Sequence, residues 1–219
     1  MNTIEANLII FDLDGTLIDS KKDIADAVNS TLAAMGQREI PVEHLYSFVG
    51  NGVRPLIEKS MIESGNAERL PEAIKHFQDT YIETLLDTTV MFDGIPEVLE
   101  HFASLGKKMA VASNKPFRYV DKIIDGLDMR RYFLSVKGGD SYQTSKPEPE
   151  MILSIIEEAS SSRKESVIVG DSRVDIKAGI NSGIRTVGVT YGFREREEII
   201  EAKPDAMIET PIELKKVIV

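Results

Sequence analysis

The chain has 219 residues, with 26 basic and 36 acidic side chains, and its net charge of -10 argues against nucleic-acid binding through an overall positive field. Because it contains no cysteine, disulfides, thiolate metal sites and a cysteine nucleophile are excluded. No apolar run approaches the ~20 residues that a membrane-spanning helix needs, so no membrane partner is expected. The lack of cysteine and of a recognisable secretory signal favours a cytoplasmic protein.

Short apolar runs recur along the chain, and helix-like segments separate most of them. The first run covers residues 7–11, and similar runs cover 109–112, 134–136, 166–169 and 186–189. Strands that alternate with helices are typical of a parallel sheet that is covered on both faces. The pattern therefore predicts an α/β fold with a doubly wound, Rossmann-like core.

A long stretch with helical periodicity separates the first predicted strand from the second. One of its predicted helices has an apolar face made of Ile24, Val28, Leu32 and Met35. We therefore predict a small α-helical domain at 19–89, inserted into a core domain made of 1–18 and 90–219.

Polar residues follow the predicted strands at the points where a doubly wound sheet binds its ligands. Asp12 and Asp14 follow the first strand, Ser113 follows the second, and Asp171 follows the fourth. Lys146 is expected to open a helical segment after the third strand. These residues are the candidates for chemistry.

The acidic residues of this group predict a metal site. Asp12 and Asp14 are two positions apart, so an extended chain directs both carboxylates to one side, and Gly15 allows a close turn behind them. Asp171 and Asp175 would add two more negative charges, which a cation or bound protons must offset. Oxygen ligands without cysteine or paired histidines favour Mg²⁺.

The remaining polar groups suit a phosphoryl group. Lys146 supplies a fixed positive charge, Ser113 a hydroxyl donor, and the backbone N–H groups after Asp14, in Gly15 and Thr16, can help to hold an anion. Phosphoryl transfer relies mostly on positioning and charge neutralisation, so these groups are nearly sufficient for it.

With these residues in place, the chain resembles the haloacid dehalogenase-like phosphohydrolases, in particular their phosphoglycolate phosphatase branch. The resemblance covers residues 9–192 and includes all four motifs in order. The motifs are DLDGT at 12–16, SNK at 113–115, KP at 146–147 and GDSRVD at 170–175. Each motif alone is a weak signal, but four in order are a strong one.

The resemblance implies a role for each matching residue. Asp12 would attack phosphorus and form an aspartyl phosphate, and Asp14 would act as general acid and then general base. The carboxylates of Asp12 and Asp171, with the backbone carbonyl of Asp14, would hold Mg²⁺. Asp175 would orient these ligands or Lys146 without binding the metal itself. Asn114 of the second motif would contribute to phosphate binding.

The helical insertion resembles the cap that this family places between its first and second motifs. Residues 49–54 read VGNGVR and are similar to the cap loop of the phosphoglycolate phosphatase branch. The resemblance implies substrate contacts from Gly50, Asn51 and Arg54, whose guanidinium suits a substrate carboxylate. A tight turn between two helices explains the glycines equally well.

Several of the other candidates also have purely structural explanations. Ser113 is a common type of helix cap, and Lys146 alone is an ordinary loop lysine. Asp171 and Asp175 suit a turn and a helix start, where acids interact favourably with the helix dipole.

These observations together predict a Mg²⁺-dependent phosphatase that acts on a small-molecule phosphate ester, with 2-phosphoglycolate as the best candidate substrate. A pyrophosphatase and a β-phosphoglucomutase-like phosphotransferase remain alternatives. A non-hydrolytic phosphoacceptor or an inactive binding protein is disfavoured, because the candidate nucleophile follows the first strand and all the motif groups are retained. The chain is expected to be a monomer or a homodimer.

Overall fold

A six-stranded parallel sheet forms the centre of the core unit in this computed structural model, which describes residues 3–219. The strands of the chain are β1 (Leu8–Phe11), β2 (Ile18–Asp19), β3 (Val90–Met91), β4 (Lys108–Ala112), β5 (Ser135–Lys137), β6 (Ser166–Gly170), β7 (Arg185–Val189) and β8 (Ala206–Ile208). Six of them pair in parallel in the order β5-β4-β1-β6-β7-β8, which confirms the predicted α/β sheet. The edge strand β8 was not among the predicted strands.

Helices surround this sheet. They are α5 (Ile95–Ser104), α6 (Phe117–Gly126), α7 (Glu150–Glu158), α8 (Arg173–Ser182), α9 (Arg196–Ala202) and α10 (Leu214–Val217). Leu8 and Ile10 of β1 share one apolar cluster with Ile152 of α7 and Ala178 of α8. Successive strand residues point to opposite faces, and every residue of β1 is buried, so both faces of the sheet are covered.

The chain divides into two compact units at positions close to the predicted ones. The core unit runs to Asp19 and resumes over Met91–Val219, and the helical unit is Ser20–Val90. Each boundary lies one residue later than predicted. The first is displaced because β2 continues through Asp19.

The helical unit contains α1 (Lys21–Ala34), α2 (Val42–Tyr46), α3 (Val53–Ser64) and α4 (Leu70–Thr84). Ile24, Val28 and Leu32 are buried as predicted, whereas Met35, the residue directly after α1, is half-buried. Helix α1 packs against α4. Across residues 3–219, no helix combines the length and the apolar character that crossing a membrane requires.

A buried carboxylate links the two ends of the helical unit. Asp23, in the first turn of α1, accepts hydrogen bonds from the backbone N–H and hydroxyl groups of both Thr88 and Thr89, at 2.5–3.1 Å. Burial by itself would raise the pKa of Asp23, but these hydrogen bonds outweigh it and lower the pKa. The ionised carboxylate therefore stabilises the unit.

We expect Asp23→Asn to lower the free energy of unfolding by about 2 kcal/mol at pH 7, because hydrogen bonds to the charged group are lost. The folded-state pKa is lowered, so the stabilisation is complete above the unfolded-state pKa of about 3.9 and is lost as the pH falls through the folded-state value. Urea unfolding of both proteins should therefore give a difference that is constant from neutral pH to about pH 5 and narrows in stronger acid.

The matched control is Asp26→Asn on the same helix, where an exposed carboxylate pairs with Lys22. Exposed pairs contribute little, so this variant should stay within about 0.5 kcal/mol of the wild type. An equal decrease in the free energy of unfolding in the two variants would show that the hydrogen bonds of Asp23 do not stabilise the helical unit.

Candidate active site

The site lies at the carboxyl ends of the three central strands of the sheet. Strand β1 is flanked by β4 and β6, and their ends are followed by Asp12, Ser113 and Asp171. From β1 the sheet continues to β4 and β5 on one side and to β6, β7 and β8 on the other. A reversal of strand order of this kind opens a crevice beyond the strand ends.

One lysine joins two of the acidic side chains. Lys146 Nζ donates to Asp12 Oδ1 at 2.7 Å and to Asp175 Oδ1 at 2.6 Å, and all three side chains are buried. The expectation that Lys146 opens a helix was wrong, because it lies in a loop and α7 begins only at Glu150. As a loop residue it can reach across the strand ends.

Burial and charge shift the ionisation of this pair strongly. Desolvation, together with the negative charges of Asp175 and Asp14, raises the pKa of Asp12, and the Lys146 ammonium offsets part of this effect, so that the resulting pKa is about 7. Burial also acts against the Lys146 ammonium, but Asp12 and Asp175 outweigh it, so the pKa of Lys146 is raised. The lysine therefore stays charged at neutral pH.

Asp175 has two structural connections at the start of α8. Its Oδ2 accepts hydrogen bonds from the backbone N–H of Ser172 at 3.2 Å and from the Ser172 hydroxyl at 2.6 Å, while its Oδ1 faces Lys146. It is the third residue of a capping box, so the helix-start explanation applies to it as well. With both oxygens engaged, Asp175 is better suited to orienting Lys146 than to binding a metal.

Asp171 is held by the chain that follows β7. Its Oδ2 accepts a hydrogen bond from the Phe193 N–H at 2.7 Å. A Cβ atom on Gly15 would lie 2.1 Å from this oxygen, and one on Gly192 would lie 2.4 Å from the Gly15 carbonyl oxygen. The two glycines therefore allow both loops to approach Asp171 closely. Burial and the charges of Asp12 and Asp175 raise the pKa of Asp171.

These acids have the chemistry of a site for a hard divalent cation. One oxygen each from Asp12, Asp171 and Asp175 lie within 4.8 Å of one another. Asp14 and Lys115 form a further, part-buried ion pair. Together these groups are four carboxylates and two ammonium groups, so their net charge is -2 when all six are ionised. Burial is the main cause of the raised pKa values of Asp12 and Asp171, and the neighbouring negative charges add to it; a bound cation would offset those charges.

Sequence reasoning missed Lys115 as a site residue. Its Nζ lies 2.7 Å from Asp14 Oδ1 and 3.0 Å from Asp14 Oδ2. Its position in the second motif, directly after Ser113 and Asn114, could have identified it, because polar residues at a strand end face the crevice.

The hydroxyl and amide groups expected to bind phosphate lie around the same strand ends. Ser113 Oγ accepts a hydrogen bond from the Lys115 N–H at 3.2 Å, and Asn114 Nδ2 donates to the Lys146 carbonyl at 2.9 Å. The N–H groups of Gly15 and Thr16 already donate to carbonyls within their own turn. The Thr16 hydroxyl is buried without a hydrogen-bond partner among the described residues, so it is the group of this turn that suits a ligand.

The predicted substrate contacts of the cap lie in the helical unit. Gly50 and Gly52 have φ values of 113° and 89°, which favour glycine and agree with a tight turn before α3. Asn51 and Arg54 are exposed on this turn and at the start of α3. Their contact with a substrate stays a prediction.

Comparison with known proteins gives a consistent result. Residues 9–189 match the haloacid dehalogenase-like hydrolase family. A phosphoglycolate phosphatase from Psychrobacter arcticus is 36% identical over 208 residues, covering 92% of this chain and 90% of that protein. A phosphoglycolate phosphatase from Vibrio parahaemolyticus is 32% identical and covers 100% of this chain and 98% of that protein.

A solved structure extends the similarity to three dimensions. The crystal structure of a predicted phosphoglycolate phosphatase from Haemophilus somnus 129pt has a TM-score of 0.91 at 28% sequence identity, and the match covers 97% of each chain. The fold similarity therefore spans nearly the whole chain.

The approach of Gly15 to Asp171 can be tested with Gly15→Ala. Its φ of +85° is strained for alanine, and the new Cβ would also displace the Asp171 carboxylate. Gly106→Ala is the matched control, because its φ is +70° but no atom lies within 4 Å of the new Cβ. The positive φ costs each alanine variant about 1–2 kcal/mol. The clash with Asp171 affects Gly15→Ala alone, so urea unfolding should give it a free energy of unfolding about 1–3 kcal/mol lower than that of Gly106→Ala. Equal losses would mean that the approach to Asp171 is not tight.

Proposed function

This chain belongs to the haloacid dehalogenase-like hydrolase family and is a phosphatase, and we propose that it hydrolyses 2-phosphoglycolate with Mg²⁺ through an aspartyl phosphate on Asp12. The observation that carries the proposal is the buried Asp12 carboxylate, which is bonded to Lys146 and lies beside Asp171. The relatives named phosphoglycolate phosphatase support the choice of substrate.

Asp12 is the proposed nucleophile. Lys146 holds one of its oxygens and so fixes the direction of the carboxylate. Nucleophilic attack requires the ionised form of Asp12, which burial and the neighbouring carboxylates disfavour. A cation held between Asp12 and Asp171 would favour ionisation, which supports a metal requirement.

Mg²⁺ is the proposed metal, held by the carboxylates of Asp12 and Asp171 and by the backbone carbonyl of Asp14. When bound, it would neutralise charge on the phosphoryl oxygens. Hard oxygen donors without cysteine or histidine suit this ion. Asp175 would act indirectly, by orienting Lys146 from the start of α8.

Asp14 is the proposed general acid and base. It would give a proton to the leaving oxygen of the substrate and later take one from the water that hydrolyses the aspartyl phosphate. Lys146, Ser113, Asn114 and the Thr16 hydroxyl would hold the phosphoryl oxygens, and the buried, unpartnered hydroxyl of Thr16 supports this assignment.

Asp12→Asn should abolish phosphate release, with a loss of about 10³-fold or more, because the nucleophile is removed while the side-chain shape is kept. We would measure phosphate release with Mg²⁺ and with EDTA on 2-phosphoglycolate, glucose phosphates, nucleotides and pyrophosphate. The expected result is Mg²⁺-dependent turnover with the highest kcat/KM on 2-phosphoglycolate.

Circular dichroism should show that Asp12→Asn keeps its fold, and the exposed Asp26→Asn should keep full activity. Full activity in Asp12→Asn would exclude it as the nucleophile. A preference for pyrophosphate, or transfer of phosphate between positions of a glucose phosphate, would favour the two alternative activities.

Arg54→Ala tests the proposed role of the helical unit as a cap that recognises the substrate carboxylate. Loss of a charged hydrogen bond worth about 1.5–3 kcal/mol should raise the KM for 2-phosphoglycolate roughly 10-fold or more and leave 4-nitrophenyl phosphate nearly unchanged. The control is Arg69→Ala, in the same unit, where the exposed arginine pairs with Glu72. An equal effect on both substrates would remove Arg54 from carboxylate recognition.

A further inference from the structure

The pair formed by Lys115 and Asp14 is separate from the contacts of Lys146. Lys115 Nζ lies within hydrogen-bond distance of both Asp14 oxygens, and the two side chains are only 6% and 11% exposed. A charged hydrogen bond in a poorly solvated position is stronger and more directional than one at the surface. This contact therefore limits the directions that the Asp14 carboxyl group can adopt.

The backbone of Lys115 is itself held firmly. Its N–H donates to Ser113 Oγ at 3.2 Å, and its carbonyl oxygen accepts from the Gly139 N–H at 2.8 Å. A Cβ atom on Gly139 would lie 2.3 Å from the Asn114 carbonyl oxygen, so glycine is needed for this close approach. These contacts fix the position of the Lys115 backbone in the turn after β4, and so they fix the point from which its side chain reaches Asp14.

We propose that Lys115 is a positioning residue that holds the Asp14 carboxyl group in line with the leaving oxygen of the substrate. The inference rests on the proposed function, in which Asp14 is the general acid. It adds a second lysine with a different task, because Lys146 is bonded to Asp12 and Asp175 while Lys115 is bonded to Asp14.

The step that Lys115 supports is the first half of the reaction. An Asp12 oxygen forms a bond to phosphorus, and the bond between phosphorus and the leaving oxygen breaks with its electron pair on that oxygen. In this step one oxygen of the Asp14 carboxyl group accepts from Lys115, while the other carries a proton and gives it to the leaving oxygen, which departs as an alcohol. The second half uses water, whose proton returns to Asp14 as the phosphorus–Asp12 bond breaks and releases phosphate.

A general acid matters most when the leaving oxygen is strongly basic. If Lys115 acts through Asp14, its removal should slow an alkyl phosphate far more than an aryl phosphate whose leaving oxygen needs little protonation. If Lys115 instead bound the phosphoryl group, every substrate would be slowed equally. The dependence on the leaving group therefore separates the two roles.

The test is kcat/KM for Lys115→Met, because this quantity reports on formation of the aspartyl phosphate and not on its later hydrolysis. We expect a loss of about 100-fold or more for 2-phosphoglycolate and of less than about 5-fold for 4-nitrophenyl phosphate, in line with the usual contribution of a general acid. Lys115→Arg, which keeps a donor for both oxygens, should recover part of the loss. The exposed Lys122→Met on α6 is the matched control.

Lys115→Met removes the positive charge that pairs with the poorly solvated Asp14 carboxylate, and this loss by itself could destabilise the fold. A second variant therefore separates a loss of positioning from misfolding. In Asp14→Asn the charge is already absent, so adding Lys115→Met should change kcat/KM for 4-nitrophenyl phosphate by less than about 2-fold. An equal loss for both substrates in Lys115→Met, or a full additional loss in the double variant, would overturn the assignment. A wild-type chain without phosphatase turnover would overturn the proposed function as well.

Discussion

The ion pairs of Lys146 are the interaction on which the rest of the site depends. Without them, Asp12, Asp171 and Asp175 would bring three carboxylates together in a poorly solvated crevice, and each uncompensated buried charge costs several kcal/mol. The ammonium group bonds to two of the three and is stabilised in its charged form in return. Its position thereby sets the direction of Asp12 and connects it to the start of α8 through Asp175.

The positive charge of Lys146 does not balance the negative charges of all three carboxylates, and the remaining negative charge affects the chemistry of the site. Asp171 accepts a hydrogen bond from the Phe193 N–H, an uncharged donor, and the charge of Arg194 offsets only part of the effect of burial on its pKa. The raised pKa values of Asp12 and Asp171 express the cost of burying these carboxylates close to one another. The same excess that is unfavourable for folding would attract a divalent ion, so stability and metal affinity oppose each other at these residues.

Asp12 and Asp14 illustrate how neighbouring residues acquire different environments. They are two positions apart in one motif, yet Asp12 is bonded to the lysine of the loop before α7 and Asp14 to the lysine of the turn after β4. Separate partners allow two carboxyl groups to take different parts in one reaction.

Local patterns in the sequence were enough to predict the parallel α/β core, which the structure confirms, and they also predict a helical insertion and a set of functional residues at the strand ends. These features are encoded locally, because apolar runs mark the strands and the polar residues that follow them lie at a known edge of the sheet. The pairing of Lys115 with Asp14, 101 positions away, and the loop position of Lys146 before α7 became visible only in the folded chain. The structure also shows that the turn uses the N–H groups of Gly15 and Thr16 internally. Such pairings depend on strand register and side-chain direction, which periodicity and composition along one chain do not encode.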